Sequence, residues 1–373
     1  MDRIRLCLLI TELRPAGAER CVYELARRLD RARFDVRVAA LRGGAVADAL
    51  QAAGVPTHVL GVRGKWDAGK LLTLARLLRQ WRIELLHTHL FHADVAGRLA
   101  ACMAGVPHLV HTVHVAEERF RPWQFAWARL AAGRCDRIVC VSGDVADWHA
   151  ARSGLPMSKY RVIHNGVDVE AFATAPALRR WMRSQWAVAD DRVVAVFAGR
   201  LDRQKGVDVL LRAMERLGAS CPRLVLLIAG EGPQREGLER LLAELRLGDR
   251  VRMLGFVEGV ERVLAAADLF VMPSRWEGFG LAAAEAMAAG LPVVATRVAG
   301  LREIVLDGHT GILVDRDDAA ALAEAIQRLA GDAALRGEMG RAGAQRVAEH
   351  FDIRRNVEAH QSLYREVARG ANT

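Results

Sequence analysis

Hydrophobic positions in the first 168 residues fall into short continuous runs separated by longer stretches with helical spacing. The runs Arg5–Ile10, Asp35–Leu41, Thr57–Gly61, Glu84–His87, Leu109–Val113, Arg137–Val141 and Arg161–Ile163 predict strands. Apolar positions recur every three to four residues over Ala18–Leu29, Gly69–Trp81, Ala93–Ala104, Pro122–Ala132 and Asp144–Ala151, which predicts helices between them. The pattern then restarts. Arg192–Phe197, Leu224–Ala229, Val251–Leu254, Leu269–Met272, Val293–Ala295 and Ile312–Val314 read as strands. Gly206–Leu217, Gln234–Leu245, Glu261–Ala266, Leu281–Ala289 and Ala319–Leu329 read as helices, and Ala334–Ala368 is mostly helical. The strands are continuous Val, Ile and Leu runs, which predicts parallel sheets covered by helices on both faces. The break between halves falls near residues 165–190, at the Asn165-Gly166 turn and a loss of periodicity over Ala173–Ala177. The predicted fold class is α/β: two doubly wound, Rossmann-like domains, residues 1–168 and 169–350, facing a central cleft. A helix within 351–373 is expected to pack back on the first domain. Ligands in such sheets bind beyond the carboxyl ends of the strands.

Composition agrees with two domains. The 373 residues are 52% hydrophobic and 26% charged, which excludes a disordered chain. The charge is uneven: residues 1–168 hold 25 Lys+Arg against 16 Asp+Glu, whereas the remainder holds 28 of each. A basic half calls for an anionic partner, such as a membrane surface, a phosphorylated substrate or nucleic acid. The chain has no helix-turn-helix, zinc-finger or RNA-binding signature and few aromatics for base stacking, which argues against nucleic acid. Apolar runs are of strand length, too short to cross a bilayer, and Leu6–Ile10 is too short for a signal-peptide core. A cytoplasmic protein is expected. The six cysteines form no C-x-x-C or zinc spacing, so buried, reduced thiols are expected.

Two stretches carry chemistry. In Pro273–Thr296, PSRWEGFGLAAAEAMAAGLPVVAT, a strand runs into Glu277-Gly278-Phe279-Gly280 and then a helix holding Glu285. Exposed amides at a helix N-terminus suit an anion. Glu277 and Glu285 are eight apart, about two turns, which would aim both carboxylates at one pocket, where they could accept hydrogen bonds from sugar hydroxyls. Against that, Glu277 could cap the helix and Glu285 be a solvated charge, although Ala, Met and Leu around Glu285 make a bare charge costly. The second stretch, Gly199-Arg200-Leu201-Asp202-Arg203-Gln204-Lys205-Gly206, follows a strand and opens a helix. It offers two cations and backbone amides to a diphosphate, or is a solvated basic loop.

Together these stretches resemble the glycosyltransferase family 4 group of retaining, nucleotide-sugar-dependent enzymes with the GT-B fold, and the resemblance spans essentially the whole chain. It implies that Arg200 and Lys205, with Gly199, hold the donor diphosphate and that Glu285 binds the ribose hydroxyls. It implies that Glu277 and the backbone of Gly278, Phe279, Gly280 and Leu281 engage the donor sugar. Gly230, Phe256 and Val257 would lie beside the nucleotide. In the first half, Ala16-Gly17-Ala18-Glu19-Arg20 matches the family's glycine-rich turn, whose Gly17 amide would face the diphosphate. His114 matches the histidine placed near the reacting sugar carbon. The chain departs from the family pattern at Ala16 and Ala299, where glycine is common, and at Val115, where Asp is frequent. The resemblance implies front-face attack, with the donor phosphate helping to take the acceptor proton, and implies neither cofactor nor metal. His114, Glu277, Arg200 and Lys205 would be the catalytic set. The one Asp-x-Asp, Asp315-Arg316-Asp317, opens a helix and reads as an N-cap.

On the acceptor side, His87-Thr88-His89-Leu90-Phe91-His92 ends a strand, and His89 and His92 are candidate acceptor ligands. A metal site is incomplete there, without a carboxylate or Cys to join the histidines. Gly69–Arg82 pairs Leu71, Leu74, Leu78 and Trp81 with Lys70, Arg76, Arg79 and Arg82, and Arg119–Arg134 stripes Phe120, Trp123, Trp127 and Leu130 beside arginines. Either stripe covers a sheet or rests on an anionic membrane. The expected activity is sugar transfer from a nucleoside-diphosphate sugar, UDP favoured, to a glycan or lipid-linked acceptor in cell-surface polysaccharide biosynthesis. The alternatives are a GT-B nucleotide-sugar epimerase or hydrolase, and a GDP-sugar-dependent mannosyltransferase.

Overall fold

A computed structural model describes residues 3–64, 67–173 and 175–370. The chain divides into two compact units, Met1–Gly166 with Ile353–Thr373, and Val167–Asp352. Each is built on one parallel sheet.

The first sheet contains β1 (Ile4–Ile10), β2 (Phe34–Ala40), β3 (Thr57–Val59), β4 (Leu85–His89), β5 (His108–Val113), β6 (Arg137–Cys140) and β7 (Tyr160–Val162), in the order β3-β2-β1-β4-β5-β6-β7. The second contains β8 (Val193–Ala198), β9 (Leu224–Ala229), β10 (Val251–Gly255), β11 (Leu269–Met272), β12 (Val293–Thr296) and β13 (Gly311–Val314), in the order β10-β9-β8-β11-β12-β13. Both are doubly wound, so strand order reverses at β1/β4 and at β8/β11, the positions where such sheets open a crevice for ligand. β1 and β8 are almost wholly buried because helices cover both faces, which is why their sequences are continuous rather than alternating.

The first core joins Leu6, Leu8, Ile10, Val36, Val38, Leu85, Val110 and Val139 with Leu363, Tyr364 and Val367 of the C-terminal helix Ile353–Ala368. The second joins Phe197, Leu226, Ile228, Leu269 and Val271 with Leu210, Met214, Ile326 and Leu329.

Several local expectations change. The break expected over Ala173–Ala177 is instead taken up by the end of helix Val169–Ala173 and the start of helix Ala175–Gln185, while Thr174 lies outside the described residues. Helices Ala45–Ala52 and Leu301–Ile304 were not predicted; both are too short for apolar spacing to declare itself. The Asp-x-Asp aspartates do not cap: Asp318 caps Ala319–Gly331 through the amides of Ala320 and Ala321, and Asp317 pairs with Arg275 at 2.7 Å. The apolar stripe of helix Ala68–Gln80 faces inward at Leu74 and Leu78. Helix Pro122–Leu130 differs: Phe125 is buried, but Trp123 is 59% and Leu130 83% exposed. All six cysteines are free thiols; Cys7, Cys135 and Cys140 are buried, while Cys102 is exposed.

Candidate active site

In the second unit, both motif loops leave the carboxyl ends of the two strands at the reversal: residues 199–206 follow β8, and residues 273–280 follow β11. The two loops are stapled together. The Arg275 amide donates to the Gln204 carbonyl at 2.7 Å, and Gln204 Nε2 donates to the Trp276 carbonyl at 3.0 Å. Arg275 Nη1 donates to the Arg203 carbonyl at 3.0 Å, and its guanidinium also pairs with Asp208. Lys205 Nζ donates to Glu277 Oε1 at 2.5 Å, and Ser274 Oγ donates to the same oxygen at 2.9 Å. Close approach needs Gly206: φ there is +64°, and a Cβ would sit 2.1 Å from the Pro273 carbonyl oxygen.

Glu277 therefore lies in the loop before helix Leu281–Ala288, 6% exposed and held by two donors. It does not cap that helix, and the two-turn spacing to Glu285 does not apply, because the segment between them is not continuous helix. Glu285 is 4% exposed within the helix. Arg200 is mostly exposed, its Nε 3.8 Å from Asp202. The loops after β8, β9 and β10 lie side by side: the Gly199 amide donates to Ala229, the Leu201 amide to Glu231 and the Gly230 amide to Gly255. Phe256 is exposed beyond Gly255, with Val257 half-buried after it. Phe279 packs edge-on against Phe351, its side chain buried. Gly300, at φ +76° with a would-be Cβ 2.5 Å from the Gly278 carbonyl, is where glycine is required; Ala299 merely precedes it.

The residues missed from sequence are Ser274, Gln204 and Arg275. Each lies inside a quoted motif, and the Ser three residues before Glu277 was a readable signal. The long-range partners of Gln204 and Arg275 were not.

In the first unit, Gly17 opens helix Gly17–Arg28, and Ala16 precedes it in extended conformation without a side-chain cap bond. An extended residue accepts Ala as well as Gly, so the departure at Ala16 costs nothing locally. Strand alternation splits the histidines between two networks. On one face, Thr88 Oγ1 and Arg98 donate to Asp94, with His111 3.3 Å from the same carboxylate. On the other, His87 bonds Tyr364 Oη at 2.6 Å and Thr112 Oγ1 at 2.7 Å. His89 stacks on His87 with ring centroids 4.1 Å apart, and its Nδ1 bonds His114 Nε2 at 3.0 Å. His89 is 2% exposed, whereas His92 is exposed beside Phe91. Burial, with help from neighbouring histidines, pushes His87 and His89 well below the ordinary imidazole range and His114 down to about 3. Leu90, directly after His89, adopts φ +70° and ψ 153°, a region nearly reserved for glycine. Among the described residues, no group of three or more His, Cys, Asp or Glu is arranged to hold a metal, and no helix is long and apolar enough to cross a membrane.

Two Rossmann-like parallel sheets, with paired motif loops at the switch point of the second, define a GT-B glycosyltransferase. The description "Glycosyl transferases group 1" matches residues 179–346, and "Glycosyltransferase Family 4" matches residues 15–171. The chain belongs to glycosyltransferase family 4, the retaining, nucleotide-sugar-dependent family its motifs resemble. It is 36% identical over 312 residues to D-inositol 3-phosphate glycosyltransferase of Saccharomonospora viridis, covering 76% of this chain and 70% of that one. It is 28% identical over 364 residues to the Escherichia coli UDP-Gal:alpha-D-GlcNAc-diphosphoundecaprenol alpha-1,3-galactosyltransferase, covering 94% and 93%. The Anabaena protein HepE, solved with UDP-glucose, superposes with a TM-score of 0.87 at 25% identity, over 97% of this chain and 100% of that one.

Proposed function

We propose that this glycosyltransferase moves a hexose, with retention, from a UDP-sugar to a lipid-linked acceptor during cell-surface polysaccharide assembly. The observation that carries the donor half is the stapled pair of loops at β8/β11, which sets Lys205 and Glu277 in contact. Arg200, Lys205 and the loop amides bind the diphosphate and stabilise charge as it leaves the sugar; Glu285 takes the ribose, and Glu277 the sugar. Positioning and charge stabilisation then supply most of the rate, and the donor phosphate receives the acceptor proton. No metal is needed for this. His114 is the residue that matches the family's histidine near the reacting sugar carbon.

The UDP reading is supported by the relative whose name carries UDP-Gal and which matches nearly the whole chain. The same name supports a lipid diphosphate acceptor. The exposed Trp123 and Leu130, flanked by Arg121, Arg129 and Arg134 in the basic unit, suit contact with an anionic membrane surface. A second reading, a small phosphorylated polyol as acceptor, is favoured by the S. viridis relative.

Calorimetric titration with UDP, GDP and ADP, with and without EDTA, tests the donor. Tight UDP binding, insensitive to EDTA and lost in Arg200→Ala, is expected. Preference for GDP would turn the reading to a GDP-sugar donor, and release of free sugar or an epimer without acceptor would turn it to a hydrolase or epimerase. Flotation with anionic liposomes tests the membrane: salt-sensitive binding, lost in Trp123→Ser/Leu130→Ser, is expected, and its absence would leave the polyol reading.

A further inference from the structure

The contact between His89 and His114 can be made in only two ways while both rings are neutral, and burial keeps both neutral. In one, His89 donates from Nδ1, its Nε2 is a bare lone pair, and His114 carries its proton on Nδ1. In the other, His114 donates from Nε2, and His89 is left with an N–H at its own Nε2. His89 Nε2 is buried and has no hydrogen-bond partner among the described residues. A buried donor without a partner is rarer than an under-used acceptor, so the first arrangement is the stable one. Nor can His89 rotate away. Its ring rests on His87, and His87 is itself held at both nitrogens by Tyr364 and Thr112.

We propose that His89 is a positioning residue for His114: it holds His114 Nε2 and so fixes that ring as the tautomer protonated at Nδ1. This rests on the reading of His114 as the family's site histidine. His114 then offers an N–H donor at Nδ1, suited to bind a hydroxyl oxygen and unable to act as a base at that nitrogen. His89 acts through His114 and does not itself touch the acceptor. The C-terminal helix takes part by carrying Tyr364, which clamps the stack from below.

The test is the ring-nitrogen spectrum of the full chain labelled with 15N-histidine, at pH 7.5, with His114 assigned by its loss in His114→Gln. The wild type is expected to carry the His114 proton on Nδ1. His89→Leu should lose that pattern in favour of the Nε2–H form that free imidazole side chains prefer. His89→Asn, whose amide reaches the Nδ1 position, should keep it, and His89→Gln, whose amide reaches only toward Nε2, should lose it. The Asn and Gln pair decides the matter if the Leu variant does not fold. A wild-type His114 protonated on Nε2, or a pattern unchanged by both His89→Leu and His89→Gln, would overturn the proposal. UDP titration of the wild type is run beside it. Failure to bind UDP would strike the donor reading and leave the tautomer result standing.

Discussion

Lys205 Nζ and Glu277 Oε1 sit 2.5 Å apart, joining two loops that are separated by 72 residues and follow neighbouring strands. The pair is largely shielded, and Ser274 is the second donor to the same oxygen. Removing one partner leaves a buried charge under-satisfied, at about 1–3 kcal/mol. Lys205→Met should therefore lower the urea midpoint and abolish UDP binding. Lys205→Met/Glu277→Met should recover most of the stability but none of the binding, because a buried ion pair is replaceable by apolar groups of similar shape. A single variant as stable as the wild type would show the pair to be structurally idle.

The two glutamates should separate on kinetics. Glu285→Ala is expected to weaken nucleotide affinity at least tenfold, about 1.4 kcal/mol. Glu277→Ala should cut turnover more than it cuts affinity, since in the proposed reading its carboxylate engages the sugar rather than the nucleoside. Equal effects of both substitutions on both quantities would undo that division.

Acid should unfold the first unit early. Burial holds His87, His89 and His111 below the ordinary range, His114 at about 3, and His149 and His360 at about 4. The unfolded chain takes up protons at these sites near pH 6.5. Between pH 6.5 and 4 the unfolded state thus binds more protons, so stability rises with pH and levels off above about 7. Each histidine adds a slope of about 1.4 kcal/mol per pH unit. Calorimetric Tm against pH should fall steeply below 6.5, and His360→Leu should flatten the curve by about one proton. A level profile down to pH 4 would mean that these rings are not buried neutral.

Asp94 and Arg98 form the buried pair on the opposite face of β4, with Arg98 Nε 2.8 Å from both carboxylate oxygens. Asp94→Leu strands a buried guanidinium and should cost about 3–5 kcal/mol. Chemical denaturation reads this directly, and a loss under about 1 kcal/mol would mean that water reaches Arg98.

Most of the architecture is written locally. β9, Leu224–Ala229, is an unbroken apolar run because both of its faces are covered, and its predicted and observed limits coincide. Glycines mark loops for the same kind of reason: Gly206 adopts a backbone conformation that other residues resist. Short helices such as Ala45–Ala52 escaped because two turns do not establish a period.

The chain by itself determined which segments are strands and where the motifs fall. Those properties follow from backbone sterics and from burial of each segment's own side chains. Tertiary structure alone decided that Lys205 meets Glu277, that Asp317 serves Arg275 rather than a helix end, and that His89 stands behind His114. The His87–Tyr364 bond, across 277 residues, makes the point: no periodicity connects such partners, and only the order of the strands and the return of the C-terminal helix bring them within hydrogen-bond distance.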